Sequence, residues 1–173
     1  MKIRAAENKD AAVIADIYSY YIATTTITFE EAAVTELDIQ QRIAETRAAQ
    51  LPYLVVVDES DFALGYAYAS KWKGRCAYRY TAEVTVYLAS DAAGKGLASK
   101  LYGQLFEQLK QASYHVAIAG ISLPNAASIA LHEKFGMRKV AHFSQVGFKF
   151  GNWVDVGYWQ CELNAVSKPK VTE

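Results

Sequence analysis

Little in this sequence can crosslink it, hold a metal or give it a one-sided charge. Cysteine is scarce, with only two, Cys76 and Cys161, in 173 residues. They stand far apart and fit no metal-ligand spacing, so the expectation is two reduced thiols, no metal and a cytoplasmic protein. Cys76 neighbours Arg75 in a polar stretch, but without a nearby base it is not read as a nucleophile. Eighteen basic residues cancel eighteen acidic ones, so nothing suggests the basic surface of a nucleic-acid partner, and none is expected. No apolar run reaches the ~18 residues that span a bilayer, so no membrane partner is expected. The opening Met1-Lys2-Ile3-Arg4 lacks the apolar stretch of a secretory signal.

What is present is an ordinary globular composition, 52% hydrophobic and 21% charged, with an excess of twelve tyrosines. The length suits one domain. Residues 3–5 read as a short strand. Asn8 or Asp10 then caps a helix carrying Val13, Ile14, Ile17, Tyr18 and Tyr21 at helical spacing. Residues 24–29 are extended or loop. Thr35 with Asp38 resembles a capping box for a helix running to about Gln50. Strands 53–57 and 63–70 follow, joined by a turn at Glu59-Ser60-Asp61. A polar, aromatic loop covers residues 71–80, and residues 81–88 form the next strand. Leu97, Leu101, Leu105 and Leu109 stripe one face of the helix after it. Residues 116–121 read as a buried strand and 126–135 as a short helix ended by Gly136. Strands near 139–145 and 154–163 complete a single domain over 1–163, with a flexible tail over 164–173. The order predicts the α+β class: a mixed, mostly antiparallel sheet of about six to seven strands flanked by about four helices.

Between strand 81–88 and its helix stands Ala93-Gly94-Lys95-Gly96-Leu97-Ala98. Glycines let the backbone approach a ligand, and the free N–H groups of a helix's first turn attract an anion. A Walker loop is excluded, because Gly96 follows Lys95 where Ser or Thr is required. A dinucleotide fingerprint fails too, since Ser99 ends an incomplete glycine triplet and no acidic partner follows ~20 residues on.

After the next strand come Leu123-Pro124-Asn125-Ala126-Ala127-Ser128 and Leu131-His132-Glu133-Lys134-Phe135-Gly136-Met137. In this order and spacing the segments resemble the GNAT N-acetyltransferase superfamily. Its members have a pyrophosphate loop, Gln/Arg-x-x-Gly-x-Gly/Ala, then an asparagine that holds pantetheine and a helix ending in Lys-x-Gly-Phe. Ala93 stands where that loop has Gln or Arg, which removes one side chain near the phosphates and leaves the backbone amides. Three more segments narrow the resemblance: Thr26-Ile27-Thr28-Phe29-Glu30-Glu31, the run from Trp72 to Glu83, and Gly147-Phe148-Lys149-Phe150-Gly151-Asn152-Trp153 continuing to Gly157. They look like the phosphinothricin acetyltransferase branch, which also acetylates methionine sulfoximine and methionine sulfone. The similarity spans roughly residues 2–163.

The resemblance implies acetyl-CoA as co-substrate, a small-molecule amine as acceptor and a homodimer. Pantetheine would lie along strand 81–88 on the main chain of Val86, Tyr87 and Leu88, with the Leu88 amide as oxyanion donor. Gly94, Lys95, Gly96, Leu97, Ala98 and Ser99 would cradle the diphosphate, and Asn125, with Ser128 nearby, would fix the pantetheine. Glu83 is read as the general base: it is a lone charge in Thr-Ala-Glu-Val-Thr-Val-Tyr-Leu, where the family places its base. His132 stands where many relatives have a tyrosine acid. It would relay a proton with Glu83 or protonate the thiolate, whose pKa of ~8.5 asks for modest help. For a zwitterionic acceptor, Lys73 and Arg75 supply cations, and arginine pairs bidentately with a carboxylate. Arg79 and Tyr80 stand in the same loop. Trp72, Tyr78 and Thr85 join the substrate set, while Phe29, Phe150 and Trp153 line that pocket or pack a dimer interface. His115 and His142 match nothing and read as structural. Two rival functions stay open: a peptide N-terminal acetyltransferase, which needs an open groove, and a non-catalytic acyl-CoA sensor, which has no use for Glu83 and His132.

Overall fold

The computed structural model describes residues 1–164. Seven strands form one sheet in the order β1-β2-β3-β4-β5-β7-β6. They are β1 (Lys2–Ala5), β2 (Tyr53–Val57), β3 (Ala63–Lys71), β4 (Thr81–Leu88), β5 (Val116–Leu123), β6 (Arg138–Lys149) and β7 (Asn152–Glu162). Helices α1 (Ala11–Thr24), α2 (Glu36–Ala48), α3 (Leu97–Gln111) and α4 (Ala126–Lys134) cover its faces. The expected α+β class and its elements are present. β6 and β7 run longer than expected, because Phe150 and Gly151 both take positive φ and close a tight hairpin. Asn164 does not begin a loose tail: its amide donates to the carbonyls of Lys110 and Tyr114. The rest of the expected tail lies outside the described residues.

Side-chain period decides which face each element covers. On α3, Leu97, Leu101, Leu105 and Leu109 are buried along with Tyr102 and Phe106. Four leucines one turn apart make a continuous apolar ridge, each burial worth about 1.5–3 kcal/mol. That ridge packs on Ala67, Ala69, Ala82 and Val84, whose small side chains let helix and sheet approach. The opposite face uses the tyrosine surplus. Tyr53, Tyr66 and Tyr68 stack with centroids 5.0–6.3 Å apart beneath α1 and α2. The expected capping box opens α2: Thr35 Oγ1 accepts from the Asp38 N–H, and the Asp38 carboxylate accepts from the Thr35 N–H. Asp10 gives α1 no side-chain cap; its carboxylate instead accepts from the Glu7 N–H, in a capping box on the short turn over residues 8–10, and receives the Arg4 guanidinium.

All neighbouring strands are antiparallel except β4 and β5. That parallel pairing covers only Thr81↔Val116, Ala82↔Ala117 and Glu83↔Ile118. β4 runs on to Leu88 and β5 to Leu123 without pairing to each other, so the sheet opens between them beyond Glu83. A split between parallel strands leaves unused main-chain hydrogen-bonding groups at the middle of a sheet. This opening positions the functional site.

Candidate active site

Strand chemistry determines which β4 amides face the opening. The Ala89 N–H donates to Leu64 O, and the β3–β4 register carries that bonding parity to Tyr66↔Tyr87, Tyr68↔Thr85 and Ser70↔Glu83. The amides of Tyr87, Thr85 and Glu83 therefore belong to β3. Those of Val84, Val86 and Leu88 point to the split, where an extended ligand could add as a strand. The Tyr21 hydroxyl already donates to Leu88 O at 2.8 Å. A cleft of about 100 Å³ lies here, with walls from Val84, Val86, Gly120, Ser122, Asn125 and Tyr102. This geometry revises two expectations. Tyr87 cannot offer its amide, which pairs with β3. Leu88 lies five residues beyond Glu83, roughly 16 Å along an extended strand, too far to serve one reacting centre with that carboxylate.

At the far end of β4 the expected anion loop has the required backbone. Gly94 and Gly96 both have φ +74°, and Gly96 precedes the first turn of α3. L-residues with a Cβ disfavour that conformation, so both glycines are needed for it. The amides of Leu97, Ala98 and Ser99 are first-turn donors without intrahelical partners. Lys134 reaches across from the last turn of α4 and donates to Ser99 Oγ at 3.1 Å. It brings an ammonium to the loop whose motif lacks its usual Gln or Arg at Ala93. Asn125 caps α4, its Oδ1 accepting from the Ser128 N–H, and it also lines the cleft.

Glu83 stands at the mouth of the split, beside a cavity of about 440 Å³. Phe29, Gly120, Ser122, Phe143, Val156 and Tyr158 surround it there. Burial pushes its carboxyl pKa above the ordinary value, and the Lys73 ammonium partly opposes this. Gly120 makes room: a Cβ there would stand 3.3 Å from the Tyr158 ring and 3.6 Å from Glu83 Oε1. Ile27, Gly120 and Ser122 line both the cleft and this cavity, so the two spaces meet beside Glu83.

His132 is 4% exposed and both ring nitrogens are committed. Nδ1 lies 2.7 Å from Ser128 O and Nε2 lies 2.9 Å from the Tyr102 hydroxyl. A carbonyl only accepts, so Nδ1 holds the proton and Nε2 accepts from Tyr102. Burial lowers the His132 pKa, partly countered by the Ser128 carbonyl. The ring is a neutral acceptor that orients Tyr102. Glu83 projects from the other face of β4, with Thr85 and Tyr87, so no direct relay joins it to His132.

The loop before β4 forms a shallow basin of about 370 Å³ lined by Lys73, Gly74, Arg75 and Tyr78. Lys73 lies over the Trp72 ring at 4.7 Å, and Trp72 meets Tyr158 edge-on at 5.4 Å. This chain of contacts ties the basin to the Glu83 cavity. Arg79 instead stacks on Tyr80. Phe29 lines the cavity, whereas Phe150 and Trp153 sit 56% and 63% exposed on the hairpin tip, away from its walls. His142 pairs with Asp155 on the β6–β7 surface, as a structural histidine would. Sequence reasoning missed Tyr102, Gly120, Ser122, Lys134 and Tyr158. The signals available were weak: a glycine inside strand 116–123, and a tyrosine set into the leucine helix.

Among the described residues, no cluster of His, Cys, Asp and Glu could hold a metal, and no helix is long and apolar enough to cross a membrane. Residues 3–157 match the acetyltransferase (GNAT) domain family. The chain is 37% identical to an L-methionine sulfoximine/L-methionine sulfone acetyltransferase of Salmonella typhimurium, over 98% of both chains. It is 36% identical to a phosphinothricin N-acetyltransferase of Alcaligenes faecalis, over 94% of this chain and 83% of that one. A phosphinothricin acetyltransferase from Sinorhizobium meliloti, solved with acetyl-CoA, superposes with a TM-score of 0.94 at 31% identity, covering 98% of this chain and 93% of that one. An unpaired amide edge, a left-handed glycine loop and a half-buried carboxylate where the two spaces meet are the parts an acyl-CoA-dependent transfer to an amine requires, and the chain belongs to the GNAT acetyltransferase family.

Proposed function

We propose that this chain moves an acetyl group from acetyl-CoA to the α-amine of a small amino-acid analogue of the methionine sulfoximine, methionine sulfone or phosphinothricin type. The observation that carries this reading is the placement of Glu83, where the split between β4 and β5 meets an open, largely apolar cavity with cations near its rim. The Val84 and Val86 amides, with Asn125, hold pantetheine along β4, and the Gly94–Ser99 backbone with Lys134 receives the diphosphate. Arg75 and Lys73 bind the acceptor's carboxylate. Glu83 takes a proton from the ammonium, leaving a neutral amine to attack the thioester carbon. The Val84 or Val86 N–H donates to the oxygen as negative charge develops there. As the tetrahedral adduct collapses and the C–S bond breaks, the thiolate takes up the second proton shed by the new amide nitrogen and leaves as the CoA thiol, past Tyr102, whose hydroxyl His132 holds in the cleft wall.

Assembly and compartment belong to the same reading. Exposed Phe148, Phe150 and Trp153 offer an apolar surface to a second copy, favouring a homodimer. Two unpaired thiols suit a reducing cytoplasm. The test is thiol release from acetyl-CoA with methionine sulfoximine, methionine sulfone, phosphinothricin and a short peptide panel. Turnover of the amino-acid analogues alone is the expected result. Turnover of peptides alone, or of none with acetyl-CoA still bound, overturns it.

A further inference from the structure

The segment from Gly147 to Trp153 stands out in the sequence, yet none of its side chains lines the Glu83 cavity. Its structural partner is the arm over residues 25–35, which joins α1 to α2 without regular secondary structure. Ile27 and Phe29 of that arm do line the cavity. Two ties hold the arm from the helix side. Thr28 Oγ1 lies 2.7 Å from the Tyr18 hydroxyl, and the Glu30 carboxylate takes a bidentate pair from Arg42 at 2.9 and 3.0 Å.

The hairpin supplies two more. Lys149 Nζ donates to the Thr28 carbonyl at 2.8 Å, and Gly147 lies directly under the Phe29 ring. Any Cβ on Gly147 would overlap the distal edge of that ring, so Phe29 keeps its position only while residue 147 is glycine. Lys149 is 2% exposed. Among the described residues its ammonium has one hydrogen-bond acceptor, Thr28 O, and the Phe150 ring at 5.0 Å. Burial lowers the Lys149 pKa although the Glu31 charge opposes this, so the buried cation opposes folding, and methionine would fill the space without that cost. Stability alone does not account for a lysine here; fixing the backbone beside Phe29 does.

We infer that Gly147 and Lys149 are positioning residues for the acceptor: they seat Phe29 against the Glu83 cavity and so set the size of acceptor side chain that fits. The inference rests on the acetyltransferase reading above. It also explains why the hairpin segment and the arm segment, more than a hundred residues apart, stand out together in the sequence.

The experiment compares wild type, Gly147→Ala, Lys149→Met, Phe29→Ala and the double variant Gly147→Ala/Phe29→Ala. Methionine sulfone serves as the acceptor probe, with acetyl-CoA affinity and deuterium uptake over residues 25–35 measured in parallel. Gly147→Ala is expected to raise the acceptor KM roughly tenfold, the scale of a misfitted apolar group, and to leave acetyl-CoA affinity within about twofold. The double variant should be no worse than Phe29→Ala alone, because both changes act through one ring. Exchange over the arm should quicken in Gly147→Ala and in Lys149→Met without ligand. Additive effects in the double variant, or unchanged arm exchange, overturn the inference. Should Gly147→Ala fail to fold, Lys149→Met with its own Phe29→Ala double decides the same point. If wild type turns over none of the amino-acid analogues, the functional reading fails by itself. Arm exchange then still judges the clamp.

Discussion

Replacing Glu83 with glutamine should damage activity and improve stability at the same time. The carboxylate is buried enough that its pKa is raised, chiefly by loss of solvent, with Lys73 opposing. A native pKa above the unfolded one means the folded chain holds this proton more tightly. The stabilisation is therefore complete below the unfolded glutamate pKa and is lost as pH rises through the native value. At pH 7 and above, the ionised group is a cost that glutamine, of the same shape and neutral, removes. Every pH unit separating the two pKa values is worth about 1.4 kcal/mol before solvent screening at the cavity mouth reduces it. The variant's melting temperature should exceed wild type at pH 8 and approach it at pH 5. Activity should move the other way. The α-amine of a free amino acid, beside its own carboxylate, is more basic than the ~7.7–8.0 of a peptide N-terminus, so well under one molecule in ten is neutral at pH 7 and a base matters most at low pH. A positioned base contributes ~10²–10⁴, or about 2.7–5.5 kcal/mol of barrier, so kcat/KM should fall by that factor at pH 7. The deficit should narrow as pH rises and the amine loses its proton unaided. Acetyl-CoA titration checks that the cofactor site is intact. A variant that keeps wild-type kcat/KM at pH 7, loses acetyl-CoA affinity, or melts below wild type at pH 8 would refute the assignment.

Other perturbations probe separate parts of the site. His132 is buried and neutral with a lowered pKa, so the unfolded chain binds its proton more readily. Stability should hold above pH ~6.5 and fall by about 1.4 kcal/mol per pH unit below it, until the native pKa is reached; urea midpoints from pH 7.5 to 5 should lose that limb in His132→Gln. Lys134→Met removes the ammonium beside Ser99 and should weaken acetyl-CoA binding up to about fivefold, the ~1 kcal/mol of an exposed charge pair. Calorimetry in rising salt should erase the difference. Arg75→Lys keeps the charge and loses the bidentate fork, so the acceptor KM should rise roughly tenfold with kcat unchanged in steady-state kinetics.

The parts legible in the sequence were those written locally. A leucine every four residues marks α3, Thr35 and Asp38 mark the start of α2, and Gly94 and Gly96 mark the anion loop because only glycine takes φ +74° at ease. What stayed hidden depends on pairing between distant segments. Gly120 looks like a flaw in an apolar strand until Tyr158 of β7 and Glu83 of β4 are seen pressed against it. Tyr102 sits one residue after Leu101 in the leucine stripe and is indistinguishable from core packing until His132 arrives at 2.9 Å. Leu88 and Tyr87 were misjudged for different reasons. Tyr87 has the wrong hydrogen-bonding parity, which only the β3 register fixes, and Leu88 has the right parity at the wrong distance from Glu83.

The two halves of the site therefore leave different traces. The donor half is held mostly by main chain: free amides of β4, the first turn of α3 and the turn before it. Backbone demands act through φ and through the absence of a Cβ, so they restrict sequence to glycine and a capping asparagine at fixed spacing, and a short motif suffices to reveal them. The acceptor half is built from side chains of β4, β5, β6, β7, the 25–35 arm and the 72–80 loop. No spacing rule links those segments, and each residue alone has an ordinary structural explanation. A side chain such as Phe29 becomes a pocket wall only because a distant glycine admits its ring and a distant lysine holds its neighbour's carbonyl. Donor chemistry can thus persist under wide sequence change, whereas acceptor choice can shift through residues that never touch the substrate, such as Gly147 and Lys149.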